Sequence, residues 1–352
     1  MSEQTSVDAI ATRVAAELSW GSGVAGSSDF EWHDFSYGFR LRREDGDESV
    51  YVKFPRHDFL FDRDRPLFPR SAQDLREATL EYESLTYLES ALRNRPIRFV
   101  KPKLFLEDLG GVVTSLVQGE DALQRLRSLD SASASGDSAS RTVMTGWMYE
   151  LGRSVRAVHE SGAGGQTAVG WHENRAKIVR LLEGLAERGC FGEGQMKRWL
   201  DLLPPAPEGR PHALATVSLK GLDVRNLMLN QDGRLVFLDP GAIKRAPREA
   251  DLARFVLTLR ILYWGSPKFA LGKEICPATE EAFLEGYGRE HVDHEVLAWY
   301  MVKEVAKHWR MAHVAVDVKD WLSPFSILVR RLYIDRQYRR KLDHSIRVLT
   351  AA

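Results

Sequence analysis

The sequence predicts an α+β fold, with a small β-rich part near the N-terminus and a larger, mostly helical part after it. Three observations carry this reading. Around Phe35, Tyr37, Phe39 and Leu41, apolar residues alternate with smaller or charged ones, the two-residue period of a half-buried strand. From Val143 onward, apolar residues return at three- and four-residue steps over long stretches, the period of helices. One island, Ser218 to Asp239, interrupts that texture with two short apolar runs around a turn. Composition is that of a folded protein: 352 residues, 44% hydrophobic and 28% charged. This is enough chain for about two domain-sized units and for a core that needs no disulfide or metal.

In order along the chain, Val7, Ile10, Val14 and Leu18 place an apolar stripe on an N-terminal helix that Gly21-Ser22-Gly23 ends. Phe30 to Pro55 reads as a β-hairpin turning at Asp45-Gly46-Asp47, with Val50-Tyr51-Val52 leading to Lys53. Ser71 to Leu92 is helical, with Leu75, Ala78, Tyr82, Leu85 and Leu88 on one side. Lys103 to Leu106 and Gly111 to Val117 are strands around the turn Glu107 to Gly110. Ser131 to Ser140, SASASGDSAS, reads as a mobile low-complexity loop. Val143, Trp147, Met148, Leu151, Val155 and Val158 mark a strong amphipathic helix, and Ile178, Leu181, Leu182 and Leu185 another. Within the island, Leu227-Met228-Leu229 and Leu235 to Leu238 form a hairpin around Asn230 to Gly233. Helical patterns then run through Leu252 to Leu262, Glu280 to Tyr287, Val296 to Trp309 and Leu322 to Tyr338.

Charge and cysteine usage narrow the function classes. Lysine and arginine number 49, as do aspartate and glutamate; this balance argues against nucleic acid as the main partner, because neutralising many phosphates takes a basic excess. Cys190 and Cys276 stand far apart and outside any C-x-x-C pair, so neither a disulfide framework nor a zinc cage is indicated, and reduced thiols are expected. No apolar run approaches the roughly 18 residues of a membrane span; the best, Phe255 to Trp264, contains Arg260. Glu3, Asp8 and Glu17 do not fit a signal or transit peptide, and a cytoplasmic location is expected.

The hairpin island carries the chemistry. Asn226 precedes its first strand, and Asp239, thirteen residues later, closes its second in the run Leu-Val-Phe-Leu-Asp-Pro-Gly. An amide oxygen and a carboxylate at the two ends of one hairpin can face a hard cation, which takes oxygen ligands; magnesium is the natural candidate. On these residues the chain resembles the protein-kinase-like phosphotransferases, the group of aminoglycoside phosphotransferases and of small-molecule and lipopolysaccharide kinases. In that group a metal-binding Asn ends the catalytic loop and an Asp-x-Gly motif follows at this separation. The resemblance extends in order over Phe30 to Trp264. Tyr51-Val52-Lys53 is similar to the strand of the phosphate-binding lysine. Glu81, seven residues before Leu88, is in register with the glutamate that pairs with that lysine, ahead of Glu77 and Glu83. Val113 to Gly119 is similar to the last N-lobe strand and the hinge, which puts Ser115 and Val117 at the nucleotide. Leu151 to Gly162, with His159, and Asp251-Leu252-Ala253-Arg254 are similar to C-lobe segments near the catalytic loop.

The resemblance implies a two-lobed protein-kinase-like fold: an N-lobe over 1–118 and a helical C-lobe over 119–352 that holds the catalytic-loop hairpin 218–241. It implies a kinase that uses ATP and Mg2+ to phosphorylate a hydroxyl of a small-molecule or glycan acceptor, an envelope polysaccharide or lipopolysaccharide sugar among the candidates. Lys53, held by Glu81, would position the α- and β-phosphates, and Asn226 and Asp239 would bind magnesium. The absence of an Ala-Pro-Glu segment after Asp239 argues against protein substrates.

One departure matters. The group keeps an Asp five residues before the metal-binding Asn, where it orients the attacking hydroxyl; in Leu219-Lys220-Gly221-Leu222-Asp223-Val224-Arg225-Asn226 that place is Gly221. Either Asp223 takes over this role, or the chain binds nucleotide or glycan without turnover. Nucleotidyl transfer is a third option. Gly21 to Gly26 fits G-x-G-x-x-G as a string but lies far ahead of Lys53, so the turn expected around Ser36-Tyr37-Gly38 is the better phosphate cradle. His291 to Glu295 reads as a helix start rather than a metal site. His308, Trp309, Arg310 and His313 read as packing, with an acceptor contact as the alternative. The basic residues Arg330, Arg331, Arg336, Arg339, Arg340 and Lys341 read as a solvated face, with peripheral contact to an anionic membrane as the alternative.

Overall fold

The computed structural model describes residues 3–21, 23–28, 30–33, 35–57, 70–92, 95, 97–162, 170–205, 215–219, 221–317 and 323–351. The elements begin with α1 (Glu3–Glu17), β1 (Val24–Ser27), β2 (Glu31–His33), β3 (Ser36–Arg43), β4 (Ser49–Pro55) and α2 (Ala72–Ala91). Four short strands follow, β5 (Arg98–Phe99), β6 (Pro102–Leu106), β7 (Gly111–Ser115) and β8 (Gly119–Asp121). After them come α3 (Ala122–Ala134), α4 (Ser138–Ser161), α5 (Trp171–Glu187) and α6 (Glu193–Leu202). The island is β9 (Ala215–Leu219), β10 (Leu227–Asn230), β11 (Leu235–Phe237) and β12 (Ile243–Pro247). The chain ends in α7 (Arg248–Arg260), the single turn α8 (Pro267–Ala270), α9 (Pro277–Tyr287), α10 (His294–Asp317) and α11 (Pro324–Ala351).

Two compact units result. The first comprises Met1–Ala122, Leu219–Gly221 and Asn226–Ile243, and the second the rest of the chain. In the first, β1-β3-β4-β7-β6 form a sheet in that order, with β2 also on β3. β3 and β4 pair antiparallel from Ser36↔Pro55 to Arg42↔Ser49, around the turn expected at Asp45 to Asp47. Strand alternation then decides which residues are buried: Val50, Val52 and Phe54 are fully enclosed, and Lys53 belongs to the opposite face. Tyr37, Phe39 and Leu41 join this core, and α1 lays Val7, Ile10 and Val14 onto it. Each such side chain contributes roughly 1.5–3 kcal/mol relative to exposure. α2 starts where its cap dictates, with the Ser71 side chain accepting the Asp74 N–H. A second sheet, β5-β11-β10-β8, contains the hairpin of the island.

The second unit is helical. α4 packs on α9, and α10 packs on α5, α7 and α11 around the buried Trp199, Trp299 and Trp309. No described helix is long and apolar enough to cross a membrane.

Several local expectations are corrected. SASASGDSAS is not a loop: α3 runs to Ala134, and Asp137 caps α4 by accepting the Ala139 N–H. Leu126, Leu129, Asp130 and Ser133 give α3 a buried face, and alanine is the best helix former. The apolar stripe of α4 passes through Met144 and not Val143, which is 42% exposed. Val24–Ser27 is strand, with Gly26 opposite Arg42, so the Gly21 to Gly26 string forms no phosphate loop; Ser22 lies outside the described residues. Ser36-Tyr37-Gly38 is likewise strand, with Gly38 opposite Lys53. β2 and β3 pair antiparallel with His33 opposite Ser36, so the chain reverses before Ser36 and not around Ser36-Tyr37-Gly38. The helix start expected at His291 to Glu295 is found: Asp293 accepts the N–H groups of Glu295 and Val296, and α10 begins at His294. α11 extends past Tyr338 to Ala351, and Leu322, its expected start, lies outside the described residues.

Candidate active site

In the first unit β4 delivers Lys53, paired between Gly38 of β3 and Val112 of β7. α2 delivers Glu81 on the face that buries Ala78, Leu85 and Leu88. A carboxylate in such a row is costly unless paired, and it is: Glu81 Oε1 lies 2.9 Å from Lys53 Nζ. The same ammonium donates to Asp239 Oδ2 at 2.8 Å. Burial alone would lower the Lys53 pKa, but Asp239 and Glu81 outweigh it and hold the amine above its ordinary value, so it is charged throughout the physiological range. One ammonium between two carboxylates leaves a net charge of about −1.

Backbone chemistry fixes Asp239. Its Oδ1 accepts the Gly241 N–H at 2.8 Å, and Gly241 adopts φ +60°, a turn geometry that favours glycine. Ile243 N–H then donates to Ser84 Oγ at 2.9 Å, so α2 holds both the lysine partner and the segment after Asp239. At the other end of the hairpin, Leu238 N–H donates to the Asn226 carbonyl at 2.8 Å. Asn226 Nδ2 donates to the Gly221 carbonyl at 2.9 Å, which fixes the amide orientation because a carbonyl can only accept. Asn226 Oδ1 makes no hydrogen bond among the described residues. The amide oxygen of Asn226 and the carboxylate of Asp239 are hard oxygen donors in a negatively charged site, a set that fits magnesium.

Gly221 has a structural reason. Its N–H donates to the Pro240 carbonyl at 2.9 Å, and a Cβ placed on it would lie 1.9 Å from the Asp239 carbonyl oxygen. The backbone there touches the Asp-Pro-Gly backbone, so no side chain fits. Lys220 lies outside the described residues.

Asp223 belongs to the second unit. Its Oδ1 accepts from the backbone N–H and Nε of Arg225, both at 2.9 Å, and its Oδ2 accepts from Nη2. Burial would raise the pKa of this carboxyl, yet the Arg225 guanidinium holds it below the usual range. In the same unit, fully buried Asp251 accepts Ser218 Oγ at 2.7 Å and lies 3.1 Å from His159 Nε2, while His159 Nδ1 lies 2.9 Å from Tyr287 Oη. The two C-lobe segments singled out by resemblance, around His159 and Asp251, therefore meet, and Ser218 anchors the strand that enters the loop.

In the segment expected to be the hinge, the Ser115 side chain accepts the Lys101 N–H, whereas the Val117 backbone makes no hydrogen bond among the described residues. Sequence reasoning missed Ser84 and Arg225. A hydroxyl three residues after Glu81 and a basic residue two after Asp223 are faint signals, because serine and arginine at such places are usually solvated.

No protein-family model matches the sequence, and no curated protein matches it. Solved structures do. The gentamicin complex of APH(2″)-IIa superposes with a TM-score of 0.55 at 10% identity, over 92% of this chain and 95% of that one. Spectinomycin phosphotransferase in complex with ADP and spectinomycin gives 0.52 at 12% identity, over 96% and 97%. Choline kinase LicA from Streptococcus pneumoniae gives 0.50 at 14% identity, over 97% and 98%. The chain has the α+β protein-kinase-like fold, a β-rich N-terminal region followed by a larger helical part.

Proposed function

We propose that the protein is a kinase that moves the γ-phosphoryl group of ATP, with magnesium, to a hydroxyl of a small molecule or glycan. The observation that carries this is Lys53 Nζ within hydrogen-bond reach of both Glu81 and Asp239. Lys53 would bind the α- and β-phosphates, and Glu81 would keep the ammonium aimed at them. Asn226 and Asp239 would hold magnesium, which neutralises charge on the phosphate oxygens. The backbone from Ser115 to Val117, with unused polar groups at Val117, would pair with the edge of the base. Asp223, ionised and fixed by Arg225, is suited to orienting an acceptor hydroxyl and poorly suited to taking its proton, because a depressed pKa means low basicity. Phosphoryl transfer relies chiefly on positioning and charge stabilisation, so that division of labour supports turnover.

Gly221 favours a second reading, a nucleotide-binding protein without turnover, since no base can stand at that position. The deciding experiment is thermal shift with ATP, with and without magnesium, on the wild type, Lys53→Ala and Asp239→Ala, followed by an acceptor screen with aminoglycosides and envelope sugars. A magnesium-dependent rise in Tm, lost in both variants, supports the site; no shift in the wild type overturns it. Release of ADP in the screen identifies the kinase, and release of AMP identifies nucleotidyl transfer. Binding with neither product across the screen supports the second reading.

A further inference from the structure

Among the described residues, one cluster of histidine, cysteine and carboxylate side chains has the spacing of a metal site: Cys190, His313 and Asp335, all in the second unit. Cys190 lies in the turn between α5 and α6, His313 in α10 and Asp335 in α11. Cys190 Sγ is 3.4 Å from His313 Nε2, and that same nitrogen is 2.6 Å from Asp335 Oδ1. Cys190 and His313 are 2% and 3% exposed, and Asp335 is partly exposed.

This geometry differs from that of a nucleophilic relay. In a relay the thiol and the carboxylate use opposite nitrogens of the imidazole; here both face Nε2. A proton on Nε2 can serve Asp335, and the thiol then competes for the same carboxylate as its acceptor. A lone pair on Nε2 can accept from the thiol and then opposes the carboxylate oxygen. A single cation among the three satisfies sulfur, nitrogen and oxygen together. The surroundings also hold the ligands in place. Trp309, one turn before His313, donates Nε1–H to Asp335 Oδ1 at 2.8 Å, and Arg339, one turn after Asp335, donates to the Cys190 carbonyl at 2.6 Å.

We propose that Cys190, His313 and Asp335 bind one Zn2+-type divalent cation through Sγ, Nε2 and a carboxylate oxygen, with a fourth position open to water. Bonds of about 2.0–2.3 Å in a tetrahedron place neighbouring ligand atoms roughly 3.3–3.7 Å apart. The cysteine–histidine pair already has that separation, and the histidine–aspartate pair must widen by about 0.7 Å, a small rotation of the Asp335 side chain. Thiolate and imidazole donors select zinc over magnesium, so this site and the oxygen-donor site at Asn226 and Asp239 take different ions. On binding, the metal–sulfur bond forms as the Cys190 S–H bond breaks and its proton leaves to solvent, and His313 offers the Nε2 lone pair with its proton on Nδ1.

The test uses the full-length protein, stripped with a chelator and titrated with Co2+ alone. The expected result is one equivalent bound, with sulfur-to-cobalt charge-transfer absorption and the visible bands of tetrahedral cobalt, displaced by Zn2+ and unchanged by excess Mg2+. The signal should persist in Cys276→Ser and vanish in Cys190→Ser, and the metal should raise Tm. Absence of the charge-transfer band in the wild type overturns the proposal, and so does a band that survives Cys190→Ser. Should Cys190→Ser not fold, His313→Gln is the second variant: it is expected to lose tight one-equivalent binding, and unchanged affinity would refute the assignment.

Discussion

Gly221 stands where a catalytic carboxylate is expected, and its backbone is packed against the Asp239-Pro240 backbone. The absent side chain is therefore part of how Asp239 is positioned. Gly221→Asp is expected to destabilise, because its Cβ alone would have to displace the Asp239 carbonyl oxygen. Overpacking of this kind costs about 1–3 kcal/mol or more. The variant should show a lower Tm and a weaker magnesium-dependent nucleotide shift, with no gain in turnover. If Gly221→Asp instead melted with the wild type and raised turnover, the loop would have room for the family residue and the packing account would be wrong. By contrast, Asp223→Asn leaves the backbone untouched and removes only the charge that Arg225 binds. It is expected to lower turnover while preserving the nucleotide shift.

At the scale of elements, α10 and α11 meet through a titratable contact. His308 lies against Tyr338, ring centroids 5.7 Å apart and nearly parallel, with Nδ1 2.6 Å from the Tyr338 hydroxyl. Burial first, and then the Arg225 guanidinium, lower the His308 pKa to about 4, against the attraction of Asp223 and Glu304 and with Lys307 adding to the fall. The folded value lies below the unfolded one near 6.5, so the unfolded chain binds more protons between the two. The contribution of neutral His308 is thus fully present above about pH 6.5 and is lost as pH falls toward 4, worth at most about 3 kcal/mol. Tm should drop between pH 7 and pH 4.5, and His308→Leu should melt with a shallower dependence over that window; equal slopes would refute the linkage. The helix that carries His308 was legible because Val302, Val305 and Trp309 repeat at helical steps. α3 was not, because its buried face includes Asp130 and Ser133, whose burial depends on tertiary partners such as the Tyr263 hydroxyl. The same limit applies to the site. Lys53, Glu81, Asn226 and Asp239 announce themselves by order and spacing along the chain. Ser84, Arg225 and the cysteine–histidine–aspartate cluster depend on which distant segments meet.

For the whole molecule, the discontinuity of the first unit has consequences for what can be cut from it. β5 and β8 are the two edges of the four-stranded sheet, and their partners in it are strands of the hairpin: β5 runs parallel to β11, and β8 antiparallel to β10. Phe99 stacks on Phe237 with ring centroids 4.8 Å apart, and Val100 N–H donates to the Phe237 carbonyl at 2.9 Å. A fragment ending at residue 122 would keep the core of α1, β3 and β4 but lose both sheet partners, expose Phe99, and leave Lys53 with Glu81 as its carboxylate partner. Unpaired strand edges of this kind favour association with other chains. The fragment is therefore expected to aggregate more readily than the full chain and to give no magnesium-dependent shift with ATP. Joining residues 219–243 to it through a flexible linker restores β10, β11, Asn226 and Asp239 to one chain, and part of that shift should return. If fragment 1–122 alone answered magnesium and ATP as the full protein does, the ion would be held without Asn226 and Asp239, and the hairpin would serve only the sheet.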